Sequence, residues 1–141
     1  MQTMVSVMKA LSDRNRFRVV AALQTHAELC ACQITELLQV TGATVSRHIG
    51  ILVRVGMVES RKEGRWTYFR LKTTPPSDSG PILKWLREGA KQSSQGARDC
   101  RVLLQILSLD KEDLCRRQRG EACCPLPGRA IANINVQSKE S

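Results

Sequence analysis

Two cysteines one residue apart, Cys30 and Cys32, open the apolar-periodic stretch ELCACQITELLQV at residues 28 to 40. Thiolates are soft donors that select soft ions, so a close pair is a candidate ligand set. A lone cysteine here would read as a small core residue. Two at i and i+2 differ, because a regular helix sets them roughly 200° apart, on no common face. For both to hold one ion, the helix start must be non-helical or must distort, and we read the pair as ligands.

Four more cysteines follow, at positions 100, 115, 123 and 124. The adjacent Cys123 and Cys124 suit either chelation of a soft ion or an inert tail. Cys100 stands among Val102, Leu103 and Leu104 and reads as core before ligand. Cys115, between Leu114 and Arg116, is left undecided. With no secretory h-region in the first residues, the thiols are expected to be reduced and the chain cytoplasmic. In that setting spaced cysteines point to metal binding or redox chemistry rather than a disulfide framework.

A second group of residues could read a polyanion. The chain has a net charge of +9, and residues 1–72 hold 11 basic against 5 acidic side chains. These charges gather around one turn and one hairpin instead of along a membrane-surface helix, so nucleic acid is the expected partner and a membrane is not. Thr44, Ser46, Arg47 and His48 would open a recognition helix, and Arg61, Lys62 and Arg65 would surround a hairpin turn. His48, next to Arg47, suits capping or packing as well as it suits a DNA contact.

The elements that must position these residues follow from periodicity. Val5, Met8 and Leu11 mark a first helix, and Asp13 caps a second with Phe17, Val20, Ala21 and Leu23 on one stripe. Ile34, Leu37 and Leu38 face inward from a short third helix. After the turn at Thr41 and Gly42 comes a fourth, with Val45, Ile49, Leu52 and Val53 on one side and Gly56 as its stop. MVESR and WTYFRL flank KEGR as a hairpin turning at Gly64. Thr67, Phe69 and Leu71 share one face of its second strand; Trp66, Tyr68 and Arg70 share the other. Beyond the linker TTPPSDSG, Pro81 starts a helix with Ile82, Leu83, Trp85 and Leu86 as its stripe. The expected class is mainly α with a small β-hairpin wing: a winged helix-turn-helix. It occupies residues 1–107, with a partly disordered, cysteine-containing extension over 108–141.

The run from Glu28 to Leu71, with ELCAC and VSRHIGILVRVGMVESRKEGRWTYFRL, resembles the ArsR/SmtB family of winged-helix metal-responsive repressors, as does LSDRNRFRVVAAL before it. The resemblance implies a symmetric homodimer that binds an inverted-repeat DNA operator and leaves it when metal binds. ELCxC is similar to the arsenic-sensing branch, implying trivalent arsenic or antimony as inducer with no other cofactor. Where that branch often has a third cysteine, this chain has Thr35, so a third thiolate is absent or comes from Cys100, Cys115, Cys123 or Cys124. The zinc branch needs histidines after residue 48 and finds none; the cadmium and lead branch adds cysteines before residue 30 and finds none, though cadmium through tail thiols stays open. Rival readings are a thiol-oxidation sensor on the same fold, a thiol carrier or reductase, and a DNA binder that senses nothing. No CxxC, phosphate-binding loop or catalytic set supports an enzyme.

Overall fold

The computed structural model describes residues 2–76 and 79–119. Its elements run α1 (Gln2–Leu11), α2 (Arg14–Thr25), β1 (Leu29–Cys30), α3 (Ala31–Leu38), α4 (Gly42–Arg54), β2 (Val58–Glu63), β3 (Trp66–Leu71), α5 (Gly80–Gln92), α6 (Ser94–Leu107) and α7 (Lys111–Arg119). The antiparallel sheet has the order β1-β3-β2, with Leu29 opposite Phe69, Cys30 opposite Tyr68 and Arg61 opposite Tyr68 from the other side.

Local chemistry sets the helix ends. The Asp13 carboxylate accepts from the amides of Asn15 and Arg16, and Thr41 Oγ1 accepts from that of Thr44, satisfying donors that have no partner inside the helix. Gln39 takes a left-handed conformation, φ 55°, to end α3 and leave only Val40 and Thr41 before α4. Gly56 and Gly64 supply the positive φ that stops α4 and turns the hairpin, as expected. At the corner between α5 and α6 a Cβ on Gly96 would lie 1.8 Å from the carbonyl oxygen of Ala90, so only glycine fits.

One apolar core joins Val19, Val20 and Leu23 of α2, Ile34 and Leu37 of α3, Ile49 and Leu52 of α4, Met57 and Val58, and Leu86 and Leu103 of α5 and α6. Val53 departs from its expected place: it is exposed, because the inward face of α4 is filled by Val45, Ile49 and Leu52 at i, i+4 and i+7. Trp85 departs likewise and is 70% exposed, Leu86 being the residue of its stripe that is buried. The expected division at residue 107 is not marked in the packing. α7 folds back onto α3, and its Leu114 is fully buried. Residues 120–141, with Cys123 and Cys124, lie outside the described residues.

Candidate thiol and nucleic-acid sites

Cys30 ends β1 and caps α3. Its backbone is extended, φ −85° and ψ 162°, and Cys32 sits in the first helical turn. The non-helical start that a shared ion requires is therefore built into the fold. The Cys30 amide donates to Gln33 Oε1 at 2.9 Å, and its thiol faces the amides of Gln33 and Cys32 in a reciprocal capping box. Burial pushes this thiol above its ordinary pKa; those amides and the Lys111 ammonium oppose the shift without cancelling it.

Cys32 is not a reduced thiol here. It is bonded to Cys115 of α7, 83 residues away, across a Cα–Cα distance of 5.8 Å. This corrects the expectation that the cysteines are all free, and it settles where Cys115 lies: fully buried, bonded to Cys32. With that bond in place, no three His, Cys, Asp or Glu side chains among the described residues are set to hold a metal ion. Cys100 is also corrected. Its thiol is free but exposed on α6, since Leu103 and Ile106 fill the buried face of that helix.

The nucleic-acid candidates divide. Ser46 and Arg47 are exposed side by side on α4, and Thr44 is half-buried, its hydroxyl 2.8 Å from that of Thr41. Lys62 is exposed on the hairpin. Arg61 is engaged elsewhere: it grips Glu28 with Nε and Nη2 at 2.5 and 2.7 Å, donates to Glu63 at 2.6 Å and stacks over Tyr68. Arg65 reaches Glu112 of α7 at 2.5 Å. Exposed pairs of this kind are weak, so both arginines can exchange partners. Arg70, paired with Glu59 at 2.6 Å, and the exposed Arg54 extend the basic surface beyond the residues nominated from sequence.

His48 is not on that surface. It is 6% exposed, with Nδ1 3.1 Å from Arg16 and Nε2 3.9 Å from Asp13. It couples α4 to the capped start of α2, the packing alternative to a DNA contact. Burial lowers its pKa below 6.5, Asp13 partly offsetting that. A depressed histidine pKa means that the unfolded chain takes up the proton first as pH falls below about 6.5, so stability is lost on acidification through that range. His48→Gln is expected to flatten the dependence of Tm on pH between about 6.5 and 5; an unchanged slope would remove His48 from this role.

A model of the bacterial regulatory protein, arsR family, matches residues 13–60, from the cap of α2 through the first half of β2. The arsenic resistance transcriptional regulator ArsR2 of Pseudomonas putida is 36% identical over 124 residues, covering 88% of this chain and all of that protein. The chain belongs to the ArsR family. Within it, the cadmium resistance regulator CadC of Listeria innocua is 41% identical over 64 residues, 45% of this chain. The chain spans only 54% of that protein's length. The solved structure of HlyU from Vibrio cholerae shares the fold, with a TM-score of 0.56 and 22% identity over 64% of this chain and 95% of that one. This ArsR-family chain thus has a winged-helix fold, α3 and α4 forming its helix-turn-helix and β2 and β3 its wing. The relatives that place it there are regulators, not enzymes. Among the described residues no helix is long and apolar enough to cross a membrane.

Proposed function

We propose that the protein is an arsenite- and antimonite-responsive repressor that leaves its operator when α3 thiolates bind the metalloid. The observation that carries this reading is Cys30 and Cys32 at the extended-to-helical junction of the first helix of the DNA-reading motif. Trivalent arsenic binding there pulls on the start of α3, whose far end is joined to α4 by a three-residue connection. The recognition helix shifts only if the ion binds the displaced arrangement better than the DNA-bound one. Sulfur donors, burial and proximity fit a thiophilic metalloid once Cys32 is reduced.

The operator-binding unit is a homodimer. Met8, Trp85 and Leu104 are all more than half exposed. An apolar groove of about 560 Å³ between α1 and α5 is lined by Met8, Leu11, Phe17, Pro81, Ile82 and Trp85, a surface suited to a second copy. Each protomer would lay α4 in a major groove of an inverted repeat, with Arg47 and Ser46 at the bases or phosphates and Lys62 at the backbone. Arg47→Ala is expected to weaken operator binding about 10- to 100-fold without changing the Tm, measured by anisotropy at fixed salt. Equal affinity for both forms would place the contact elsewhere.

The Cys32–Cys115 bond supports a second reading, a repressor controlled by thiol oxidation. A reporter driven by the DNA upstream of the chain's own gene separates the two. Arsenite or antimonite should induce it, with cadmium and diamide much weaker; induction by diamide alone would favour oxidation, and induction by cadmium alone would exclude the metalloid.

A further inference from the structure

We propose that Cys115, carried by α7, is the third thiolate of the metalloid site, so that metalloid binding and the Cys32–Cys115 disulfide are mutually exclusive states of one three-sulfur centre. The proposal rests on the arsenite reading above and adds to it the identity and origin of the missing donor. Trivalent arsenic binds three sulfurs in a pyramid, and Thr35 stands where the α3 motif would supply the third. Of the cysteines among the described residues, Cys100 is exposed on α6, whereas Cys115 is fully buried and within bonding reach of Cys32. Cys30 is two residues from Cys32, buried, and oriented toward the Cys32 amide.

The juxtaposition does not depend on the disulfide alone. Gln118 Nε2 donates to the Cys32 carbonyl at 2.9 Å and to Glu36 at 3.2 Å, and Lys111 donates to the Tyr68 hydroxyl. Leu114, fully buried, adds an apolar anchor. These contacts hold α7 against α3 and the wing, so reducing the bond leaves Cys115 beside Cys32, two residues from Cys30. Reduction takes two electrons and two protons from an external thiol reductant and yields two thiols. Arsenous acid then exchanges its three hydroxyls for three sulfurs, releasing three waters with no change in oxidation state. In the bonded form two of the sulfurs have no proton to give and no thiolate to offer, so Cys30 alone can exchange and the three-sulfur site cannot be completed.

The test is alkylation mapping of the full chain by peptide mass spectrometry. With dithiothreitol removed after reduction, arsenite should shield Cys30, Cys32 and Cys115 from iodoacetamide together and leave Cys100 reactive. After diamide oxidation, arsenite should leave Cys30 as reactive as before. Cys115→Ser should raise the arsenite concentration needed to release DNA by at least about tenfold while operator affinity stays at the wild-type value. Shielding of Cys30 and Cys32 with Cys115 still reactive overturns this assignment and leaves the repressor reading standing. Shielding of none of the three overturns both.

Discussion

Replacing Cys30 and Cys32 together by serine should abolish the response to arsenite while leaving the repressor on its DNA. Serine keeps the volume and the capping role: the Cys30 thiol sits at the N-cap of α3, a position where a serine hydroxyl accepts an amide hydrogen bond well. What serine removes is the soft donor. Changes in the outer shell of metal sites already cost about 10- to 100-fold in affinity, so loss of two direct ligands should exceed about 100-fold. In practice no release should be reached at arsenite concentrations that fully discharge the wild type. The operator Kd in the absence of arsenite should stay within about threefold of wild type, because Arg47, Ser46 and Lys62 are untouched. A double variant that still releases DNA at the wild-type midpoint would move the sensor away from α3.

The largest stability effect is expected at Asp99, far from either site. Its carboxylate receives Arg18 Nε at 2.9 Å and Nη2 at 3.0 Å, and Gln95 at 2.9 Å. Arg18 also donates to the Leu37 carbonyl at 3.1 Å, so one guanidinium ties α2 to α6 and to the end of α3. Both side chains keep a small contact with solvent, 16% and 13%. Asp99→Ala leaves that cation largely desolvated and unpaired. A cost of about 3 kcal/mol follows, at the lower edge of what breaking a fully buried pair costs. For a domain of this size the Tm should fall by about 10 °C. Arg18→Met combined with Asp99→Leu should recover most of the loss, since the penalty is for the orphaned charge and not for the missing attraction. If Asp99→Ala changes the Tm by less than about 2 °C, the pair is solvated in solution and does not join the helices.

The helix-turn-helix and the wing were legible because their signals are local. The cap at Asp13, the inward stripe Ile34, Leu37 and Leu38, the glycines at 56 and 64, and the alternation of WTYFRL each act within a few residues. β1 was not, since two residues carry no period and pair only because β3 passes beside them. The thiol site was half legible. The spacing of Cys30 and Cys32 nominated a candidate pair, but the sulfur that Cys32 bonds lies 83 residues away, and no local pattern ranks Cys115 above Cys100. The same limit applies to Arg61 and Arg65. Counted as charges they belong to a basic wing; in the fold Glu28 and Glu112 reach them from distant segments. His48 shows the converse case, a polar residue in a basic run that its own helix turns inward onto Arg16.

The central claim is that metalloid binding to the α3 thiols and DNA binding oppose each other. Fluorescence anisotropy of the reduced wild-type chain on its own upstream DNA, titrated with arsenite at one fixed salt concentration, measures that opposition directly. Release is expected, with saturating arsenite weakening the operator complex by a factor within the usual range of allosteric coupling, about 5- to 150-fold. An operator Kd that arsenite leaves unchanged, with the cysteines verified as reduced and DNA binding intact, would contradict it.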